Sequence, residues 1–112
     1  MPQVVITGMG IVAPIGVGAD AAWASIEAGR SGVRAVPEFV EAGFPIYIAG
    51  DVAEFDPKEF VKPRKSLKVM SRETQLGFTA AEMAWADAKL DGAKIDPDRL
   101  GVTLGSNMRI FC

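Results

Sequence analysis

Histidine is absent from the 112-residue chain, and that absence excludes more chemistry than any single residue present. Imidazole is the commonest general base and metal ligand near neutral pH, so a mechanism that needs one cannot be completed within these residues. Cysteine is almost missing too. Cys112 stands alone, which rules out an internal disulfide and makes a reducing cytoplasm the expected compartment. Neither sign of charge dominates: 12 basic against 14 acidic side chains leave a net charge of −2. No field draws the chain to a polyanion, and no nucleic-acid partner is expected. The densest basic run, residues 62–68, is interrupted by Pro63, Ser66 and Leu67 and reads as a solvated loop. A long unbroken apolar run is also lacking. Residues 4–19 carry no charge, but Gly8, Gly10, Pro14, Gly16 and Gly18 punctuate them and no basic side chain precedes them. A signal peptide or membrane span needs a continuous apolar helix, so no membrane association is expected.

What is present is apolar material for one domain or part of one, 49% of the residues. Val4-Val5-Ile6 is a β-branched run of the kind buried in sheets covered on both faces, and a strand is expected near 3–9. A glycine-rich connection follows. Asp20 is placed to cap a helix running to about Ala28, with Ala22, Trp23 and Ile26 on its buried face and Gly29 and Gly32 at its end. Residues 33–64 are irregular apart from a strand at 45–52, where Ile46 and Ile48 alternate with Tyr47 and Ala49. Asp56-Pro57 and Pro63 mark turns.

Ser71 opens the longest expected helix, 72–90, with Leu76, Ala80, Met83 and Ala84 at helical spacing and enough alanine for close packing. Asp91-Gly92 ends it, 95–98 turns, and a second buried strand is expected at 100–105. The order is strand, helix, excursion, helix, strand: an α/β layout whose end strands can be parallel neighbours. Trp23 and Trp85 read as packing residues. Arg72 and Glu73 read as surface residues, with Lys65 and Lys68 in reach as ion partners of little energetic weight.

The sharpest local pattern is Thr7-Gly8-Met9-Gly10-Ile11-Val12-Ala13-Pro14-Ile15-Gly16. Gly8, Gly10 and Ala13 fit a dinucleotide fingerprint after a strand. That fingerprint needs a helix beginning inside it to present amides to a pyrophosphate. Here Pro14 and Gly16 stand where its second turn would form, and proline there removes an amide and clashes. The alternative is that the glycines let a buried strand turn tightly beneath another element.

These residues also resemble a known family. Val4 to Gly10 with Pro14 and Gly16 is similar to the opening of elongating β-ketoacyl-acyl-carrier-protein synthases. The similarity continues through Ala22-Trp23, Ile26 and Ala28-Gly29-Arg30-Ser31-Gly32, then Ile48-Ala49-Gly50-Asp51-Val52 with Phe55-Asp56-Pro57. It returns at Met70-Ser71-Arg72 and at Gly101-Val102-Thr103-Leu104-Gly105-Ser106. Five stretches in register identify the chain as the N-terminal part of a thiolase-like ketosynthase, a layered α-β-α fold.

The resemblance implies an acyltransferase of fatty acid or polyketide biosynthesis, and so of lipid metabolism. It acts as a cytoplasmic homodimer on acyl and malonyl thioesters of acyl carrier protein, with no cofactor and no metal. It also implies that residues 1–112 form one incomplete ketosynthase domain, inactive alone, because the acylated cysteine and two histidines lie downstream. Cys112 lacks the strand-to-helix turn that activates such a thiol and is not taken as the nucleophile. No catalytic residue is assigned. Met108 aligns with an apolar position near the acyl pocket and is the expected substrate-binding residue, although Asn107, Met108 and Arg109 stand where the family has more glycine. A partner subunit of the same fold that does not condense, a chain-length factor, is the alternative. The resemblance requires the bend at 7–16 to tuck beneath a covered sheet. A first strand at an exposed rim, or amides gripping an anion, would contradict it.

Overall fold

The computed structural model describes residues 1–106, which divide into two compact units. The first to be considered is Ile11–Phe55. It opens with a minimal antiparallel hairpin, β1 (Val12–Ala13) on β2 (Gly16–Val17), with Val12 opposite Val17 and Ala13 opposite Gly16. Pro14 and Ile15 make the turn, where the fixed φ of proline is already suited to a reversal. A bond from the Gly18 amide to the Ile11 carbonyl, 2.9 Å, closes the open end.

Helix α1 (Ala19–Glu27) follows directly. Its N-cap is Gly18, without a side-chain cap, and not the expected Asp20. Asp20 sits two positions further in, within the first turn, where its charge faces the positive end of the helix dipole. The buried face also differs from expectation. Ala22 and Ser25 are inside, whereas Trp23 and Ile26 are 61% and 57% exposed. The reason is the closeness of the hairpin: a Cβ at Gly16 would lie 2.7 Å from the Ala22 amide nitrogen. Only the small-residue face of α1 fits against so near a backbone. Gly29, at φ 63°, ends the helix as expected.

The second sheet pairs β3 (Val33–Ala35) with β4 (Ile48–Gly50), antiparallel, Val33 opposite Gly50 and Ala35 opposite Ile48. The strand expected at 45–52 is thus confined to its middle, plus one further bond from the Val36 amide to the Tyr47 carbonyl. Short helix α2 (Pro37–Glu41) fills the connection, and Phe39 and Phe44 meet edge to face at 5.5 Å.

The other unit comprises Met1–Gly10 and the chain from Asp56 onward. Its axis is α3 (Arg72–Asp87). Ser71 caps it, Oγ accepting from the Thr74 amide at 3.3 Å, as the sequence predicts. Thr79 is fully buried on it and donates its hydroxyl to the Gln75 carbonyl. The helix stops one turn short of the expected residue 90, and Lys89 adopts a left-handed φ of 56°. Asp56 and Asp96 each cap a single 3₁₀ turn, Pro57–Glu59 and Pro97–Arg99, and a third 3₁₀ segment spans Arg64–Val69.

Neither buried strand expected at 3–9 and 100–105 forms. Val4, Val5 and Ile6 are 98%, 69% and 82% exposed, and Val102 is 90% exposed. A strand exists only where neighbouring strands accept its amides and carbonyls, and among the described residues neither stretch has such a neighbour. The mixed helix-and-strand content fits the α/β class. No described helix is long and apolar enough to cross a membrane.

Candidate functional site

The Gly8-Met9-Gly10 segment is the part of the sharpest motif whose packing the structure defines best. It runs along α3, over a stripe of Ala80, Ala84 and Ala88 spaced four residues apart. A Cβ at Gly8 would meet the Ala84 carbonyl oxygen and lie 2.6 Å from the Ala88 nitrogen. At Gly10 it would meet the Ala80 carbonyl oxygen and lie 2.7 Å from the Ala84 nitrogen. The two periods match: two extended residues advance about 6.6 Å and four helical residues about 6 Å. Successive glycines therefore fall on successive alanines, the segment and the helix running in opposite directions. Between them the Met9 amide donates to Asp87 Oδ2 at 2.9 Å.

This geometry decides between the readings of the motif. The glycines bring backbone onto a helix flank, and the amide between them already faces a carboxylate. A phosphate cradle needs free amides and no carboxylate beside them. The close-packing reading holds, although the covering element is a helix flank and not a sheet.

Among the described residues each unit holds a cleft. The first, about 370 Å³, lies between α3 and the chain after Asp56, walled by Phe60, Phe78, Met83 and Ala86 with Glu59, Lys62 and Glu82 exposed at its rim. The second, about 390 Å³, adjoins the β1–β2 hairpin and α1, with Ser25, Arg30 and Glu54 as its polar members. Ser25 is buried, and its hydroxyl is committed to the Ile15 carbonyl at 2.6 Å, so it holds the hairpin and is no nucleophile. Sequence reasoning assigned neither cleft, because each arises from contacts between separate segments.

The hydroxyls of Ser25, Ser31, Ser71, Thr74 and Thr79 bond to backbone or to each other and not to a base. Met108, the expected acyl-pocket residue, and Cys112 lie outside the described residues. Arg72 and Glu73 are exposed, as expected, but Glu73 makes no ion pair with Lys65 or Lys68. The ion pair that does form was not foreseen. Arg34 grips Asp51 with Nε and Nη2 at 2.8 and 2.7 Å, tying β3 to the end of β4. The hydrogen bond, then the charge of Asp51, holds the Arg34 guanidinium above its ordinary pKa. The alternating signs at these two positions were a signal only once the strands were known to pair.

Comparison with known proteins places this arrangement. Residues 1–111 match the family model described as beta-ketoacyl synthase, N-terminal domain. The ketoacyl synthase beta subunit of the tetracenomycin polyketide synthase of Streptomyces glaucescens is 42% identical over 99 residues, covering 88% of this chain and 24% of that protein. The 3-oxoacyl-[acyl-carrier-protein] synthase 2 of Coxiella burnetii is 36% identical over 106 residues, covering 95% and 25%. The solved ishigamide ketosynthase/chain length factor superposes with a TM-score of 0.66 at 35% identity, covering 87% and 23%. The chain thus spans about a quarter of the length of the relatives it matches. That fraction explains why exposed Val4, Val5 and Ile6 do not contradict the resemblance, contrary to the criterion set on the sequence. With a match from the first residue to the 111th, the chain belongs to the β-ketoacyl synthase family and corresponds to its N-terminal domain.

Proposed function

We propose that the protein carrying this chain is a 3-oxoacyl-acyl-carrier-protein synthase. It extends acyl thioesters by decarboxylative Claisen condensation in fatty acid or polyketide synthesis. A cysteine thiolate takes the acyl group and releases the carrier's thiol. Malonyl thioester loses carbon dioxide, and the resulting carbanion attacks the acyl-cysteine thioester, expelling the thiolate and leaving a longer 3-oxoacyl product. Fixed donors in a dry pocket stabilise the oxyanions, and two histidines fill that role in the family. Neither the histidines nor an activated cysteine can be assigned on these residues, so the segment's own work is structural.

The observation that carries this reading is the seating of Gly8 and Gly10 on the α3 alanines, within a family match covering nearly the whole chain. It supports reading residues 1–10 and α3 as elements packed on each other within a thiolase-like α-β-α domain of which 1–112 is a part. Met108 borders the acyl pocket, acyl carrier protein delivers both substrates, and the working protein is a cytoplasmic homodimer. Purified gene product given acyl- and malonyl-carrier protein should release carbon dioxide in step with 3-oxoacyl product. Carbon dioxide without condensation, or neither, would count against it.

A second reading is favoured by the similarity to a beta subunit and to a ketosynthase/chain length factor. In it the protein is a non-condensing partner of the same fold. Glutamine in place of the downstream cysteine, and activity only when a second subunit is added, would select it.

A further inference from the structure

The turn that follows α3 has a chemistry of its own. Leu90, Asp91, Gly92 and Ala93 form a reversal closed by a bond from the Ala93 amide to the Leu90 carbonyl at 3.0 Å. Gly92 sits at φ 76° and Asp91 has no positive φ, the signature of a type II turn. Such a turn directs its central amide, that of Gly92, away from the bend. Among the described residues that amide meets no acceptor and the Asp91 carboxylate has no partner. Both residues are exposed, and nothing lies within 4 Å of where a Cβ at Gly92 would be. The following residue, Gly92, carries no side chain to hinder the pair.

We infer that Asp91–Gly92 is a site of spontaneous backbone isomerisation, at which Asp91 converts to isoaspartate. The Gly92 nitrogen attacks the Asp91 Cγ after the peptide plane turns about the Asp91 Cα–C bond. In the protonated carboxyl form the N–Cγ bond forms and a Cγ–O bond breaks, the hydroxyl leaving with the amide proton as water and giving a succinimide. Water then opens the ring at either carbonyl. One opening restores aspartate; the other routes the backbone through the side chain, with no net change in mass and no oxidant or co-reactant beyond water.

The other aspartates lack one requirement or another. Asp56 and Asp96 precede proline, which has no amide proton to lose. Asp20 and Asp87 are held in helices, Asp87 also accepting from Met9. Asp51 is clamped by Arg34, and Asp98 is followed by the bulky Arg99 within a 3₁₀ turn. Asp91 is the one aspartate followed by glycine, and no asparagine precedes glycine anywhere in the chain. The consequence is local: an extra methylene in the main chain between the end of α3 and the segment that carries Leu104 back to Gly77.

The test is to hold the purified, full-length gene product at neutral pH and 37 °C and sample it over weeks. An isoaspartate O-methyltransferase with labelled methyl donor reads total isoaspartate, and peptide mapping with electron-transfer fragmentation locates it. Methyl acceptance should rise with time and map to Asp91 ahead of every other aspartate. It should be lost in Asp91→Glu, whose ring would have six members, and be faster in Asp91→Asn, which expels ammonia. Mapping needs no variant, so a misfolded mutant leaves the test intact. No accumulation at Asp91, or earlier accumulation at another aspartate, overturns the inference.

Discussion

One methyl group separates Gly10 from alanine, and the structure has no room for it. The added carbon would meet the Ala80 carbonyl oxygen, a backbone atom that moves only if the helix moves. Overpacking of this kind costs about 1–3 kcal/mol and occasionally more. Gly10→Ala and Gly8→Ala are therefore expected to lower the melting temperature of the gene product by several degrees and to reduce its soluble yield. A parent-like melting temperature for Gly10→Ala would contradict the packing described. At this scale the sequence was informative where a residue acts locally: Gly29 as helix terminator, Ser71 at the head of α3, Pro14 as a bar to a helix. It misled where the outcome depended on a neighbour. Trp23 and Ile26 carry the helical spacing of a core face, but the hairpin packs against Ala22 and Ser25.

The helices and short sheets each rest on a few identifiable contacts. Removing the α3 cap with Ser71→Ala leaves the Thr74 amide unsatisfied and should cost about 1 kcal/mol, visible as a shifted denaturant midpoint at unchanged slope. Ser71→Asp should restore the parent midpoint, and an Ala variant with no shift would remove the cap from the account. The β3–β4 pair is only three residues long on each side, and Arg34–Asp51 locks its end. Both side chains are about half exposed, 51% and 45%, so the bond is screened by salt. Hydrogen exchange at the β3 and β4 amides is expected to quicken between low and high ionic strength, and to lose that salt dependence in Asp51→Asn. The pH dependence is silent near neutrality. A cation whose pKa is raised on folding contributes fully below its unfolded value and loses that contribution only as pH climbs through the folded one. For Arg34 that window lies above the ordinary guanidinium range. Identical exchange at both ionic strengths would contradict the lock. Elements with their own punctuation were legible: α1, α3 and the turns at Asp56 and Asp96. The strands expected at 3–9 and 100–105 were not. Their composition is that of covered strands, but a strand is a property of a pair, and no sequence window contains its partner.

Among the described residues much apolar surface is uncovered. The buried apolar side chains among them are Ala22, Phe55 and Val61, beside exposed Val4, Ile6, Ile46, Val102 and Leu104. A 112-residue chain expressed alone is thus expected to melt broadly, at low temperature, and to associate through its uncovered strands. A sharp two-state melt with a monomeric hydrodynamic radius would contradict this. Family and α/β class were legible in the sequence because five motif stretches stay in register. The chemistry was not: the sequence holds no histidine, and Met108 and Cys112 lie outside the described residues. The central claim, that these residues build the scaffold of a ketosynthase and leave condensation to groups outside them, has one direct measurement. Carbon dioxide release and 3-oxoacyl formation from acyl- and malonyl-carrier protein are followed for the 112-residue chain and for the complete gene product side by side. The account predicts product in step with carbon dioxide from the complete protein and only the buffer rate from the chain. Malonyl thioester decarboxylation above that rate by the chain alone would contradict it.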